Sequence, residues 1–348
     1  MNPYILATLL FGLGLGTTIT FASSHWLLAW MGLEMNTLAI IPIMAHLHHP
    51  RAVEATTKYF LTQATAAAML LFASTTNAWL TGQWDIQQMT HPLPVTMITL
   101  ALALKIGLAP VHSWLPEVLQ GLDLTTGLIL STWQKLAPFA LLLQICPTNS
   151  ILLTILGLSS TLVGGWGGLN QTQLRKILAY SSIAHLGWMI IILQFSPSLT
   201  LLTLFTYLVM TFSTFLVFKL NKSTNINTLA ISWAKTPALT SLTPLILLSL
   251  GGLPPLSGFM PKWLILQELT KQELPATATL AALTALLSLY FYLRLSYAMT
   301  LTMSPNNLAG ITPWRLPTAQ LTLPLAIATM LTLTLLPLTP AITAALAL

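Results

Sequence analysis

The sequence predicts an all-α polytopic membrane protein with about eleven transmembrane helices. Apolar residues make up 55% of the 348 positions, and the mean hydropathy is +0.79. Asp, Glu, Lys and Arg together make up only 6%, against roughly 25% in soluble proteins. Because so few charges cannot cover a water-facing surface, we expect this surface to face lipid, where helices satisfy their own backbone hydrogen bonds.

The apolar segments are long enough to cross a bilayer, which takes about 20 residues each. Polar and Pro-marked breaks place the predicted spans near 2–21, 25–47, 55–81, 96–121, 125–145, 149–171, 173–194, 198–219, 237–270, 276–302 and 320–346. The segment 237–270 is long enough for two helices, which leaves the parity of the count open.

The cations are distributed unevenly between the two sides of this arrangement. With eleven spans, the side that holds the N-terminus carries Arg51, Lys58, Arg175, Lys176, Lys219, Lys222, Lys235 and Arg315, and the other side carries only Lys271. This bias predicts an N-terminus inside and a C-terminus outside. Splitting 237–270 into two crossings changes the bias too little to decide whether this segment is one span or two.

Two of the predicted spans contain helix-breaking residues near their middle, at 104–116 and 251–263. The first contains Gly-Leu-Ala-Pro at 107–110 and the second contains Gly-Leu-Pro-Pro at 252–255. Pro removes a backbone donor, and in lipid the freed carbonyls need partners in protein or water. We therefore expect two discontinuous helices beside a cavity.

The two breaks also indicate an internal repeat, because they align at an offset of 145 residues. This offset maps the first five spans onto the next five. It predicts two inverted five-helix repeats over 1–145 and 146–302, followed by a C-terminal loop and the last helix over 303–348. Paired discontinuous helices in inverted halves are typical of ion or substrate pathways. The alternative is that both breaks are packing kinks.

Four ionisable residues lie well inside the apolar spans: Glu34, Lys105, Lys135 and Lys262. At ~1.5 Å per residue, each is about 12–15 Å from one surface of a ~30 Å core, so they form a row near the midplane. A charge there costs at least ~2.5–3.5 kcal/mol and usually serves a function. One carboxylate with three lysines is suited to a proton relay, although Glu34 and Lys105 alone could be a structural pair.

The histidines are weaker candidates. His112 follows the first break and His185 lies mid-span, so either could extend the relay or simply pack. The trio His46, His48 and His49 resembles a metal-binding tract, but no carboxylate supports it and we do not expect metal binding there.

Nothing in the sequence predicts a bound cofactor or a nucleic-acid partner. A single cysteine, Cys146, cannot ligate an iron–sulfur cluster, and no haem-attachment, flavin or Walker motif is present. The net charge is +6, but no basic run exceeds Arg175–Lys176.

The run from Lys105 to Pro138 resembles a known family. It includes GLAPVHSWLPEV at 107–118, Gln120–Gly121 and TWQKLAP at 132–138, and the likeness continues through GFMPKW at 258–263 and the MNP start. These residues resemble the antiporter-like membrane subunits of mitochondrial NADH:ubiquinone oxidoreductase (respiratory complex I) of the vertebrate type. The resemblance covers essentially the whole chain.

The resemblance implies more than the residues alone. It implies that Glu34 and Lys105 form the coupling pair, that Lys135 is the central relay residue and that Lys262 is the far one. It implies an animal form that lacks the first three of the fourteen spans of bacterial relatives. It also implies a multi-pass protein of the mitochondrial inner membrane, with its N-terminus in the matrix and its C-terminus in the intermembrane space.

The implied partners are the other membrane-arm and supernumerary subunits of complex I and the inner-membrane lipids. NADH, FMN, iron–sulfur clusters and ubiquinone are expected on partner subunits. The predicted function is therefore a proton-translocating subunit, without a redox centre of its own, of the NADH:ubiquinone reductase. Two alternatives stay open: a stand-alone cation/proton antiporter and a scaffold that only holds other subunits apart.

Overall fold

The computed structural model describes residues 2–46, 48–145, 150–234, 236–301 and 322–346, and every regular element within them is a helix. The predicted all-α fold is confirmed. The chain forms two compact units, Met1–Leu156 and Gly157–Leu348. Proline is the first residue of several helices, a position where its missing N–H costs no helical hydrogen bond.

The first unit contains seven complete helices and the start of an eighth. They are α1 (Pro3–Ala22), α2 (Trp26–Ala45), α3 (Pro50–Thr81), α4 (Pro92–Ile106), α5 (Trp114–Gly121), α6 (Leu124–Ser131) and α7 (Trp133–Ile145), followed by α8 (Ser150–Gly168). Helix α1 packs on α2, and α3 packs on α2, α4 and α5.

The described part of the second unit continues from α8 with eight more α-helices. They are α9 (Leu174–Ile192), α10 (Pro197–Leu220), α11 (Ile226–Ala230), α12 (Pro237–Gly251), α13 (Phe259–Lys271), α14 (Pro275–Thr300), α15 (Leu323–Thr334) and α16 (Thr339–Leu346). A short 3₁₀ turn, Ile231–Ala234, follows α11. Helix α10 packs on α9, α12, α13, α15 and α16.

Six of the described helical segments are long and apolar enough to cross a membrane: α1, α2, α6 and α7 together (Leu124–Ile145), α8, α10 and α14. The bent pair α15–α16 makes up to seven. Helices α4 and α12 are shorter apolar helices. The membrane fold is therefore confirmed, while the figure of eleven spans stays a prediction. The last span, predicted as one helix, bends by 68° after Thr334. Pro337 and Pro340 lie at this bend, and each lacks the N–H that a continuous helix needs. The predicted C-terminal loop that begins at 303, with Arg315, lies within residues 302–321, outside the described residues.

Both predicted discontinuous helices are present, and their breaks have the same backbone geometry. Gly107 (φ 87°, ψ 43°) caps the C-terminus of α4, and Gly252 (φ 82°, ψ 44°) caps that of α12. Both glycines adopt the left-handed conformation that favours glycine as a helix stop. The chain resumes as α5 at Trp114 and as α13 at Phe259. Both the residue that stops the helix and the residue at which the chain resumes as a helix are therefore separated by 145 residues between the two breaks.

A second local feature also occurs once in each unit. In the first unit, Trp26 N–H donates to Trp84 O (3.1 Å) and Ile86 N–H donates to Ser24 O (2.9 Å). In the second unit, the loops at 172–174 and 224–226 form the same two-bond bridge, at 3.0 and 3.2 Å. The same pair of interhelical loops is therefore joined in both units.

Candidate functional site

Lys105 lies at the end of α4, immediately before the first break. Its side chain is 6% exposed, and its Nζ has no hydrogen-bond partner among the described residues. A cation in the last turn of a helix is favoured by the helix dipole. The backbone around it is fixed from two sides, because Gln63 Nε2 donates to Lys105 O (3.4 Å) and Trp114 Nε1 donates to Leu104 O (3.1 Å).

Glu34, on α2, is the carboxylate predicted to pair with Lys105. It is half-buried, accepts a hydrogen bond from Thr37 Oγ1 at 2.8 Å, and is close enough to act on Lys105 electrostatically. The two side chains nevertheless form no ion pair within 4 Å in the described part of the chain. Their charges are neighbours without a direct bond.

Lys135 lies just after a one-residue interruption that the sequence did not predict. The predicted span 125–145 is present as one apolar segment of 22 residues, Leu124–Ile145, within which Thr132 separates α6 from α7. The Thr132 hydroxyl donates back to Leu128 O (2.7 Å), a bond of the kind that bends helices, and Pro138 cannot donate to Gln134 O. The Lys135 side chain is 3% exposed.

A single cavity brings Lys105 and Lys135 together. Its volume is about 20 Å³, and it lies where α2, α3, α4 and α7 meet. Its other polar lining residues are Asn36, Thr37, Tyr59, Gln63 and Gln134. The two lysine amines can gain or lose a proton, and the amides beside them can donate and accept hydrogen bonds.

Lys262 lies on the first turn of α13, across the second break. Its Nζ donates to Gly251 O at the end of α12, at 2.8 Å. A Cβ on Gly252 would approach the Lys262 Cδ to 3.0 Å, so the stem of the lysine lies against that glycine. The lysine therefore satisfies one of the carbonyls that the break frees.

Sequence comparisons identify the family. The NADH:quinone oxidoreductase/Mrp antiporter transmembrane family matches residues 23–288, and the NADH dehydrogenase subunit 2 C-terminus matches residues 289–343. NADH-ubiquinone oxidoreductase chain 2 of Tetraodon nigroviridis is 79% identical over 98% of both chains. That of Oncorhynchus mykiss is 75% identical over 100% of both. The chain belongs to the NADH-ubiquinone oxidoreductase chain 2 family.

Solved structures agree with this chain 2 family assignment. A chain of respiratory complex I from Thermus thermophilus with bound aureothin is 29% identical and has a TM-score of 0.88, over 99% of this chain and 81% of that chain. A chain of the Mrp complex from Dietzia sp. DQ12-45-1b is 16% identical, has a TM-score of 0.84, and covers 96% of this chain and 75% of that one. This second likeness shows a shared fold.

The structure separates the two histidine candidates of this chain 2 family member. His185, on α9, packs against Tyr207 on α10 with ring centroids 5.7 Å apart. His112 lies inside the first break, with Nδ1 3.2 Å from Pro110 O, and is not among the residues that line the lysine cavity.

Two of the three histidines after α2, His46 and His49, form contacts at helix ends. His46 Nδ1 lies 3.0 Å from Ile43 O, and His49 Nδ1 accepts a hydrogen bond from Arg51 N–H at 3.2 Å. No group of three or more His, Cys, Asp or Glu side chains among the described residues could hold a metal ion.

Two parts of the site were not predicted from the sequence. The first is the set of amides around the cavity, Asn36, Gln63 and Gln134, which no motif marks. The second is an ion network in which Lys58, on α3, bonds Glu54 (2.8 Å) and Glu117 on α5 (2.9 Å). The i,i+4 spacing of Glu54 and Lys58 was a usable signal, whereas Glu117 joins them only through tertiary packing.

Proposed function

We propose that this chain relays protons through the membrane arm of NADH-ubiquinone oxidoreductase, using Glu34, Lys105, Lys135 and Lys262. As a member of the chain 2 family, it is a membrane subunit of that enzyme. The observation that supports the relay most strongly is the cavity that Lys105 and Lys135 share. Buried lysines that line one cavity within a membrane-spanning unit are typical of a proton pathway.

The chemistry follows from burial and charge. An amine in an apolar surrounding gains or loses a proton according to the charges beside it. Because Glu34 acts on Lys105 without bonding it, a change of charge near Glu34 alters the proton affinity of Lys105. Lys105 then exchanges a proton across the cavity with Lys135, and Lys262 continues the relay in the second repeat. His185 is a further relay candidate beside Tyr207.

The redox chemistry belongs to other subunits in this proposal. NADH, FMN, iron–sulfur clusters and ubiquinone are bound by partner chains, and their reactions reach this chain as changes in charge and conformation. The protein lies in the mitochondrial inner membrane. The positive-inside bias supports an N-terminus in the matrix and a C-terminus in the intermembrane space.

The domain organisation is part of the proposal. The two breaks with matching glycine conformations and the two loop bridges support five-helix repeats over 1–145 and 146–302. An inverted arrangement would place one discontinuous helix in each half of the proton pathway. Residues 303–348 would form the C-terminal loop and the last helix.

Replacing Lys135 tests the relay. In complex I assembled with Lys135→Met, we expect normal assembly and a loss of most NADH:ubiquinone turnover, because methionine has similar length but cannot carry a proton. Lys219→Met is the matched control, since Lys219 is exposed at the end of α10. Turnover of the Lys135→Met complex equal to that of the control would refute the proposal.

Two other functions were considered from the sequence. A stand-alone cation/proton antiporter gains support only from the fold shared with the Mrp complex, whereas relatives at 75–79% identity are complex I subunits by name. A scaffold without a relay predicts that neutralising the buried charges one at a time leaves the rate unchanged. The same Lys135→Met measurement distinguishes the scaffold from the relay.

A further inference from the structure

A second polar cavity lies between the first turns of α3 and helix α5, and it shares no lining residue with the lysine cavity. Its volume is about 410 Å³, and four charged residues line it: Arg51, Glu54, Lys58 and Glu117. Lys58 Nζ binds both carboxylates, Glu54 at 2.8 Å and Glu117 at 2.9 Å. These three side chains together carry one net negative charge, so this wall of the cavity attracts a cation.

Arg51 supplies a positive charge at the same cavity. The residue is exposed, and its guanidinium forms no ion pair and donates no hydrogen bond within the described residues, so its charge acts on Glu54 only at a distance. A guanidinium has five N–H donors in a planar fork that matches a phosphate group. The cavity therefore presents a free phosphate-binding group together with a wall of net negative charge, which suits a ligand that carries both charges.

The crossing of α3 and α5 fixes both walls of this cavity. A Cβ at Gly121 would lie 2.6 Å from Arg51 O and 2.7 Å from Ala55 Cβ, so glycine is what allows the two helices to approach so closely. The bond between Lys58 and Glu117 joins the same two helices. The cavity is therefore formed by the fold before any ligand binds.

The length of α3 places the cavity at the edge of the membrane. Its 32 residues extend about 48 Å, whereas the hydrocarbon core is about 30 Å thick. The charged residues of α3 are Arg51, Glu54 and Lys58, and the uncharged remainder, 59–81, extends about 34 Å. Because this remainder is long enough to fill the core, we expect the charged turns to lie in the headgroup layer, where the ligand at hand is a lipid headgroup.

We propose that this cavity binds a phospholipid headgroup that combines a phosphate with a primary ammonium, as in phosphatidylethanolamine. The Arg51 guanidinium donates to the phosphate oxygens. The ammonium donates to Glu54 and Glu117, whose carboxylates keep free acceptor sites beside their bond to Lys58. This site goes beyond the proposed relay and does not depend on it.

The lining residues favour this headgroup over other phospholipid headgroups. The two carboxylates repel a purely anionic headgroup such as that of cardiolipin, which basic pockets bind. The quaternary ammonium of phosphatidylcholine has no N–H to donate, and proteins typically hold such a group in an aromatic cage. The uncharged lining residues here are Ala55, Gln120 and Gly121, none of which is aromatic.

Photolabelling of assembled complex I with matched lipid probes tests the site. Phosphatidylethanolamine and phosphatidylcholine that carry the same diazirine at the start of one acyl chain differ only in their headgroups. We expect the ethanolamine probe to label peptides that contain residues 51–58 or 117–121 at least several-fold more than the choline probe does. Equal labelling by the two probes, stronger labelling by a cardiolipin probe, or no labelling because a partner subunit fills the cavity would overturn the inference.

Substitutions test the two halves of the headgroup, with labelling counted per assembled complex so that a loss of assembly is not mistaken for a loss of binding. Arg51→Gln removes the phosphate contact and should lower labelling by the ethanolamine probe several-fold. Lys219→Gln is the matched control, because it removes an exposed cation on the same predicted side of the membrane. Equal labelling of these two variants would contradict a site at Arg51.

The carboxylates are tested by the double variant Glu54→Gln, Glu117→Gln. Both cations of the cavity remain in this variant, so its preference should change from the ethanolamine probe to the cardiolipin probe. An unchanged preference would contradict recognition of the ammonium. Because the cavity lies apart from Lys135, Lys135→Met should leave the labelling unchanged, whatever it does to turnover.

Discussion

The crossing of α1 and α2 allows a methyl group to be added beside Asn36 without changing any charged residue. Gly16→Ala places a Cβ where the Asn36 amide and the Gly32 carbonyl already lie. Because the carbonyl belongs to the backbone, the two helices must move apart here, and the Asn36 side chain must shift as well. Gly14→Ala is the matched control, because a Cβ at Gly14 meets nothing within 4 Å in the same helix.

The size of the effect follows from two opposing contributions. Adding a methylene-sized group to a packed interior costs about 1–3 kcal/mol. Replacing Gly by Ala within a helix returns roughly 0.5–1 kcal/mol in both variants. Because both variants gain the same helix stabilisation, their free energies of folding differ by the packing cost alone. If this packing cost falls on the Asn36 side chain, the equilibrium between its original position and a displaced one shifts by roughly 5- to 150-fold.

The assay is NADH:ubiquinone turnover per assembled complex, measured for both variants in inner membranes. We expect Gly14→Ala to behave as the unaltered protein and Gly16→Ala to lose at least several-fold in turnover. Equal turnover and equal assembly in the two variants would refute the reasoning, since it would show that the amide moves freely without consequence.

Two further predictions concern Lys262 and Glu54. Lys262→Met removes the charge-assisted hydrogen bond to Gly251 O, worth about 1.5–3 kcal/mol, so the thermal stability of the assembled complex should fall; unchanged stability would contradict a bond across the break. The hydrogen bond from Lys58, and its positive charge, hold the pKa of Glu54 below its usual 4.5. The stabilisation from Glu54 should therefore be complete above pH 4.5 and be lost as pH falls through the lowered value. The thermal unfolding temperatures of the Glu54→Gln complex and the unaltered complex should differ by a constant amount from pH 7 to about pH 5 and should converge at lower pH. A difference that stays constant throughout would contradict this ion pair.

The discontinuous helices could be predicted from sequence because their signals are local. A glycine followed closely by prolines, as at 107–110 and 252–255, is a strong local signal for a helix stop, and the observed breaks span 107–113 and 252–258. The interruption at Thr132 carries no such marker. It accompanies a hydrogen bond from the Thr132 hydroxyl to Leu128 O. Threonine hydroxyls form such bonds in some helices and not in others.

The charged members of the candidate site could also be predicted, since a lysine in an apolar span is unusual by itself. The amides could not. Asn36 and Gln134 are uncharged residues in apolar helices, and the sequence does not show which face of each helix is buried or against what. Only the packing of α2 and α7 around one cavity shows that they accompany Lys105 and Lys135.

The most direct measurement of the central claim is the number of protons translocated per NADH oxidised by sealed vesicles that contain complex I with Lys135→Met. The account predicts that assembly is retained while proton translocation and the NADH oxidation coupled to it fall together. A full rate with an unaltered proton-to-NADH ratio would contradict a relay through Lys135.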